Sequence, residues 1–573
     1  MKNEFYKQFN TKIFKNSETT KLAEENFKEF TLDNKKRVFD EYKVDLKVLE
    51  NIIKGLSNGK SKGFAEVQPE MYKYAMSVNF QFTVGLILET MIKYGIIPYL
   101  FNIGIIKPII KDEKKDTNNV NNLRPVTVSD TLANIYEKLI LSEIEKFHIN
   151  NEKQFGFKKA SSCNHAIFVV NETIKYNTKK NKKTFICTID ASKAFDKVDR
   201  KYLWLKLKEK LKPHILNSLI NYYKNSMAII QNGEEYSEIF ETTIGVKQGG
   251  PLSPRLFAIY IEDLIDEIGK SGKGIKFGDI RIDVILYADD ILLISDNLQA
   301  LQSLLDITED YGRKWEIKFN PEKTVFMEFG SQSKFLIRNS NLKFDQKEIK
   351  KVEKMKYLGC HYNNKLNNKD HLNKKRFATF SAVNKIKDLG IESINISTAM
   401  KSCLYKTYCR PVLFYGIENL VLSELEKKKL QTIEANIIKR SYGLSHRVRS
   451  TDLIYSVGLE RSIRKIERLK LNFLKRICTN TFTDKFIRIL AKKFRASPRN
   501  VNKKSILYEC KCITGANEFE IDKILQKGNE KLKFIDRETE SIINSEKVIK
   551  IKSILMKESS LRTEELKIEL NAF

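Results

Sequence analysis

Apolar positions along the chain change period several times. From residue 1 to about 95 they recur at helical spacing among charged residues, with few Pro or Gly. "LKVLENIIKGL" predicts a helix that stops by Asn58-Gly59. "NFQFTVGLILETMIKYG" predicts another, with Gly95 as its stop and Pro98 just beyond. Short strand-like runs follow, "GIIKPIIK" and "RPVTV", and then a helix through "TLANIYEKLILSEIEKF". Between about 184 and 365 strands and helices alternate. "TFICTID" is a strand, and "RKYLWLKLKEKL" and "ILNSLINYYKNS" are helices. "AIIQNGEEYSEIFETTIGV" reads as strands turning at Asn232-Gly233. Helix "PRLFAIYIEDLIDEIG", the strands of "VILYADDILLIS", helix "LQALQSLLDITEDYGRKW" and strand "KTVFMEFG" complete the series. This order predicts an α+β sheet with helices packed on one face. Beyond about 370 the pattern is almost wholly helical, ending in "RTEELKIELNAF", which reads as ordinary packing.

One stretch breaks the pattern. In "LYADDILL", Asp289 and Asp290 interrupt an apolar, β-branched run that otherwise reads as buried strand. An unpaired carboxylate is costly to bury. Taken alone, the pair reads as a turn, since Asp favours turns. A second acid, Asp190, falls at the end of the strand in "FICTIDASKAFDKVD", beside the small residues Ala191 and Ser192 and ahead of Phe195. A hairpin cannot surround an ion by itself, so a neighbouring strand must contribute. Mg²⁺ takes oxygen ligands and usually shares them with substrate phosphates. Asp190, Asp289 and Asp290 are therefore a candidate divalent-metal site. Between them, "GVKQGGPLSPRLF" places a Gln-Gly-Gly turn before a Pro-started helix, and glycines at 249 and 250 permit close approach of backbone to a ligand.

Charge adds a partner class. Lys plus Arg number 102 and Asp plus Glu 72, a net +30, which suggests a polyanionic partner such as nucleic acid. Eight scattered cysteines form no disulfide framework and no zinc-ligand spacing. No signal peptide and no run of about 18 apolar residues is present. These features predict an intracellular protein, in cytoplasm or nucleus, that is neither secreted nor membrane-bound.

Together these stretches resemble the core motifs of reverse transcriptases, specifically those of non-LTR (LINE-like) retrotransposons. "FICTIDASKAFDKVD" resembles the first palm motif, "GVKQGGPLSPRLF" the second and "LYADDILL" the third. "IIKPIIKDEKKDTNNVNNLRPVTVSDTLANIYEKLI" is similar to the fingers segment, and "QFGFKKASSCNHAI" to the segment before the palm. "YGRKWEIKFNPEKTVFMEFG" resembles the fourth motif, "VEKMKYLGCHY" the primer-grip hairpin and "LYKTYCRPVLFYGIENL" a stretch of the thumb. The resemblance covers roughly residues 50 to 445, with its pieces in the family's order.

The resemblance implies a right-hand polymerase of fingers, palm with antiparallel sheet, and helical thumb, plus a basic α-helical C-terminal region. It divides the chain into an N-terminal helical region (1–95), fingers and palm (96–365), thumb (366–430) and the C-terminal region (431–573). It implies an RNA-directed DNA polymerase using two Mg²⁺ ions, or Mn²⁺, with an RNA template, a DNA primer and dNTPs. Asp190 and Asp289 match the principal metal ligands, and Asp290 the second acid of the turn. Phe195 matches the steric gate that crowds a ribose 2′-hydroxyl. Gln248 and Gly249 match the loop lining the incoming nucleotide. Arg124 matches the fingers arginine on the triphosphate, and Lys111 its lysine partner, with Lys107 a near competitor. Lys323 matches the fourth-motif lysine that donates a proton to pyrophosphate. By the same resemblance Tyr287 and Ala288 would lie beside the primer terminus, and "YLGCHY" would grip the primer backbone, with Leu358 and Gly359 at its turn.

Three departures stand out. Gly63 is followed by Phe-Ala-Glu-Val rather than a Pro-Asp-Gly-like stretch, Gly250 stands where Cys is often found, and Leu123 where an aromatic is common. About 95 residues precede the fingers, too few for the endonuclease many such elements carry, so a separate endonuclease or a free DNA end would supply the primer. Tyr442 and His446, in the basic segment after 424, are candidates for stacking on bases, and the basic helix "RSIRKIERLKLNFLKRI" for phosphate contacts. A decayed or repurposed protein that only binds RNA or hybrid duplex is the alternative reading. A template-copying RNA polymerase is disfavoured by Phe195.

Overall fold

The structure is a computed structural model that describes residues 1–11, 25, 28, 42–191, 194–330, 342–393 and 396–555. Ser192 and "RTEELKIELNAF" lie outside the described residues. The architecture is mixed α+β, built on two five-stranded sheets.

One of the two joins distant segments. Strand β1 (Ile103–Ile110) pairs antiparallel with β2 (Leu123–Val128), and β1 also pairs in parallel with a strand from Met227–Asn232. The central sheet runs in the order Lys350–Lys351, Val325–Phe329, Thr184–Asp190, Asp290–Ser295, Val284–Tyr287. We number its main strands β3 (Thr184–Asp190), β4 (Val284–Tyr287), β5 (Asp290–Ser295) and β6 (Val325–Phe329). These four are antiparallel neighbours, and the two-residue edge strand is parallel to β6. A separate hairpin of β7 (Lys354–Tyr357) and β8 (Cys360–Asn363) follows.

Helices cover both faces of this sheet, which corrects the one-face expectation. Phe185, Cys187, Ile189, Leu286 and Leu293 point into one core, shared with the helices Ser253–Lys270 and Leu298–Lys314. Ile186, Ile285, Leu292, Ile294 and Met327 point into a second core, shared with helix α1 (Cys163–Lys179). The reason is legible in "VILY" and "ILLI". A continuous apolar run, rather than an alternating one, needs a dry environment on both sides of the strand.

The second core also takes in the C-terminal helices α2 (Ser462–Thr479) and α3 (Thr481–Ala496). Phe486 stacks on Phe277 with ring centres 4.4 Å apart and meets Phe168 of α1 edge-on. The chain after 370 is helical where described, as its pattern indicates. Most of the charge on α2 is neutralised at home. Arg464 pairs with Glu467 and Glu538, Arg468 with Glu460 and Asp536, and the fully buried Lys470 with Glu509 at 2.6 Å. That helix is therefore not a free phosphate-binding face. Tyr442 is buried too, its hydroxyl donating to Thr398 O at 3.3 Å, so it cannot stack on a base; His446 is exposed. The eight cysteines are free thiols. Among the described residues no helix is long and apolar enough to cross a membrane.

Candidate functional site

The three acids gather at one end of the central sheet. Asp190 is the last residue of β3 and Asp290 the first of β5, and the two are direct partners across the antiparallel ladder. Opposed residues of such a pair project to the same side of a sheet. Tyr287 and Asp290 close a two-residue turn, Ala288-Asp289, so Asp289 stands at the tip. Asp190 and Asp289 are half-buried, and Asp290 is exposed.

The turn is held in a demanding conformation. Ala288 has φ of +58°, the left-handed region that tight hairpins require and that Gly, Asn or Asp usually supplies. A segment that precedes α1 keeps it there. Gln154 Oε1 accepts from Ala288 N at 3.2 Å and from Gly156 N at 2.9 Å. Phe155 N donates to Leu286 O at 2.8 Å. A Cβ on Gly156 would stand 2.4 Å from Ala288 N, so glycine is required at that approach. Gln154 and Gly156 went unremarked in the sequence, although "QFGF" contains both.

Burial and neighbouring carboxylates raise the proton affinity of the two turn acids. The Asp289 carboxyl is raised above its usual range by burial and by the charge of Asp190, and its own backbone N–H, Arg124 and Lys323 oppose this. Asp290 is pushed up to about 6 by burial, then by Asp289 and Asp190, against Lys323 and Lys356. Because Asp290 is exposed, its neighbours' charges are the more persuasive cause. Lys323 makes the closest contact, with Nζ 2.7 Å from Asp190 Oδ2. The loop that carries Lys323 is anchored to the same strand end, where Asn320 N donates to Asp190 O at 3.0 Å and Ala191 bridges Phe319.

These donors suit a divalent cation, being oxygen ligands whose mutual repulsion a cation would relieve. They are not closed around one point. Among the described residues, no group of three or more His, Cys, Asp or Glu is gathered tightly enough to hold a metal ion. Asp190 is engaged by Lys323 instead.

Beside the acids stands an aromatic wall. Phe195 stacks on Phe257 at 5.0 Å and meets Phe157 edge-on at 6.0 Å. The next residue, Asp196, accepts from Gln248 Nε2 at 2.8 Å, which ties the Phe195 loop to the Gln-Gly-Gly turn. Asp196 also accepts from Gln8 Nε2 at 2.7 Å, so the helix Lys2–Asn10 braces this loop. Gln248 O in turn accepts from Thr127 N of β2 at 2.6 Å. Gly249 has φ of +121°, and a Cβ there would meet Thr127 O at 2.5 Å.

Arg124 is exposed on β2, opposite Ile109, and its charge reaches Asp289. Lys111 continues the same pairing just past β1, but its Nζ donates to Asn121 O at 3.1 Å. Lys107 lies two residues before Ile109 and so shares that face. Both lysines flank Arg124, and geometry does not separate them. Leu358 and Gly359, at φ of +44° and +77°, form the β7–β8 turn. Tyr415 OH donates to Leu358 O at 2.9 Å, and a Cβ on Gly359 would strike the Tyr415 ring. Lys356 of that hairpin acts on Asp290, and Tyr287 packs in the same core as Leu358 and Tyr415.

The family described as "Reverse transcriptase (RNA-dependent DNA polymerase)" matches residues 112–362. That range contains Asp190, Asp289, Asp290, Lys323, Arg124, Phe195, Gln248, Gly249, Tyr287, Leu358 and Gly359, and leaves out Lys107 and Lys111. "RNA-directed DNA polymerase from mobile element jockey" of Drosophila funebris is 23% identical over 405 residues, covering 68% of this chain and 43% of that protein. Its Drosophila melanogaster counterpart is 22% identical over 453 residues, covering 76% and 48%. "Retrovirus-related Pol polyprotein from type-2 retrotransposable element R2DM" of Drosophila melanogaster is 26% identical over 253 residues, covering 42% and 23%.

Over this range the chain is similar to reverse transcriptases, and the relatives it matches include those of non-LTR retrotransposons. It spans less than half the length of these relatives. The sheet end that joins Asp190, Asp289 and Asp290 lies inside the matched region.

Proposed function

We propose that the chain is an RNA-directed DNA polymerase that extends a primer 3′-hydroxyl with dNTPs on an RNA template. The observation that carries this is the register of β3 against β5, which pairs Asp190 with Asp290 and sets Asp289 at the adjoining tip. Asp190 and Asp289 would hold Mg²⁺, with Asp290 beside them. When bound, such ions would supply activation of the 3′-hydroxyl and stabilisation of the leaving pyrophosphate.

The chain's own residues do the rest in this reading. Arg124 and Lys111 offer cationic donors to the triphosphate, Arg in bidentate fashion. Phe195, backed by Phe257, leaves no room for a 2′-hydroxyl. Gln248 and Gly249 line the nucleotide, Tyr287 borders the primer end, and Leu358-Gly359 holds the primer backbone. Lys323 holds a proton within reach of the departing phosphate. The right-hand arrangement follows: fingers and palm over 96–365, thumb over 366–430, an N-terminal helical region before them and a helical C-terminal region after 430.

The Lys323–Asp190 pair favours a second reading, a chain that binds RNA or hybrid duplex without catalysis. Primer extension on poly(rA)/oligo(dT) with Mg²⁺ or Mn²⁺ separates the two. Extension by the wild type but not by Asp289→Asn supports the enzyme. Tight duplex binding by both, with extension by neither, supports the binding protein.

A further inference from the structure

At the opposite end of the central strands from the acids, three hollows of about 550, 610 and 360 Å³ run together along α1. Lys179 and Asn502 line both the first and the second. Tyr176, Lys180, Lys182 and Lys493 line both the second and the third. The first reaches β8 of the hairpin, and the third reaches Asp296, just past the end of β5. β3 spans seven residues, Thr184 to Asp190, so the trough and the acids are about 20 Å apart along that strand.

Its walls carry charge that the fold leaves uncompensated. Lys179, Lys182, Lys365, Arg499, Lys503 and Lys504 are exposed and make no ion pair among the described residues. No acid lines the first hollow, and the third has one, Asp296, which accepts from Asn297 Nδ2 at 2.9 Å. Glu172, in the second, is buried and already accepts from Lys175, Ser505 Oγ and Ile506 N. The basic residues of α2 show the contrast, since most of their charge is cancelled by carboxylates of the same chain. An aromatic lies among the lysines. Tyr176 is half-buried, its edge against Phe277, with Lys180 and Lys493 at 4.4 and 5.5 Å from its ring centre. Asparagines 171, 363 and 502 also line the trough, with their amide nitrogens bonded within the protein, so what the trough offers a ligand is the exposed cations above.

We propose that this trough binds single-stranded RNA. Its phosphates lie on the lysines and a base lies against Tyr176. A recess between a helix and a loop admits a flexible single strand, whereas a duplex would touch only the rim. The choice of RNA rests on the polymerase reading above; the charge of the trough does not.

The test compares binding of a labelled single-stranded RNA by the full chain and by a Lys179→Glu/Lys180→Glu/Lys503→Glu/Lys504→Glu variant. The variant is expected to lose at least about tenfold in affinity at physiological salt, with a log–log salt slope shallower by about 3, near 0.7 per lost phosphate contact. A Lys→Gln version at the same positions, checked for an unchanged melting temperature, guards against misfolding and is expected to show the same change in slope. Photo-crosslinks from 4-thiouridine RNA are expected in peptides spanning 175–182 and 499–504. An unchanged slope, or crosslinks confined to the acid end, overturns the proposal. An equal loss with single-stranded DNA overturns the choice of RNA. If primers are extended while the slope is unchanged, the trough assignment fails and the polymerase reading stands. If the slope changes while nothing is extended, the trough stands without the polymerase.

Discussion

Lys323 Nζ lies 2.7 Å from Asp190 Oδ2, so the loop after the helix Leu298–Lys314 meets the end of β3 at one ion pair. Lys323 is 65% exposed and Asp190 35%, so the pair contributes no more than about 1 kcal/mol to stability. Its position matters more than its strength. The same lysine restrains the carboxylate that would hold a metal and carries a proton beside it.

Those two roles separate by kinetics. Lys323→Gln is expected to lower kcat for primer extension by about 10²-fold or more at saturating Mg²⁺, as loss of a general acid does. If Lys323 is only a counter-charge, the maximal rate will survive and the Mg²⁺ needed for half-maximal rate will fall. A magnesium titration of kcat decides between these.

Ala288 stores strain at the turn that presents Asp289. A non-glycine residue in the left-handed region costs of order 1 kcal/mol or more. Ala288→Gly is therefore expected to leave stability unchanged or raise it by up to about 1 kcal/mol, because relief of strain competes with the entropy of glycine. Ala288→Val, β-branched at the same φ, is expected to lose about 2 kcal/mol or more. Denaturant midpoints check both; a loss on glycine substitution would show the turn to be unstrained.

How much of this was visible in the chain depends on range. Element types came through because period and end signals are local. The helix Val78–Tyr94 stops at Gly95, in the left-handed conformation, as "MIKYG" indicates. The acids were legible as a set because polar residues in apolar strands demand a partner. What held them was not. Gln154 acts on Ala288 from more than a hundred residues away, and Gln8 reaches Asp196 from the N-terminus. No local spacing encodes such contacts. The one-face expectation failed because the order of strands and helices does not say which face of a sheet each helix covers, whereas the unbroken apolar runs "VILY" and "ILLI" need cover on both. Tyr442 failed for the opposite reason, since a basic neighbourhood in sequence hid an apolar one in space.

Phe195 has its ring fixed by Phe257 and Phe157, so it is a rigid wall rather than a mobile side chain. A rigid wall discriminates by steric exclusion. Phe195→Ala is expected to raise incorporation of ribonucleotides relative to deoxynucleotides by at least about tenfold, about 1.4 kcal/mol of discrimination. Single-nucleotide kcat/KM for matched dNTP and rNTP pairs measures it, and an unchanged ratio removes the gate assignment.

Gly249 is expected to tolerate no side chain. Its φ of +121° disfavours L-residues, and a Cβ would lie 2.5 Å from Thr127 O, a backbone atom with little freedom to retreat. Gly249→Ala should therefore shift β2 away from Gln248, lowering stability by about 1–3 kcal/mol and raising KM for nucleotide. Normal melting with normal KM would show that the loop and β2 are not coupled.

His371 couples the hairpin to pH. It is buried; its Nε2 lies 3.0 Å from Tyr415 O, and its Nδ1 accepts from His361 N at 3.3 Å. That pattern fits the neutral ring with Nε2 protonated, since an added proton on Nδ1 would face another N–H. Burial, and then the charges of Lys375 and His361, hold its pKa down at about 4, against the bond to Tyr415 O. An unfolded histidine takes its proton near pH 6.5. The unfolded chain therefore binds more protons between these values, and the contribution of His371 to stability is full above 6.5 and lost as pH falls towards 4. The ceiling on that loss is about 3 kcal/mol. Wild type is expected to lose stability more steeply than His371→Gln between pH 6.5 and 4.5, in equilibrium unfolding at matched ionic strength. Because Tyr415 also holds the Leu358 carbonyl, the same titration should loosen the β7–β8 turn, seen as faster amide exchange there. Parallel stability curves for the two proteins would mean that His371 is protonated alike in both states, and the neutral-ring assignment would fall.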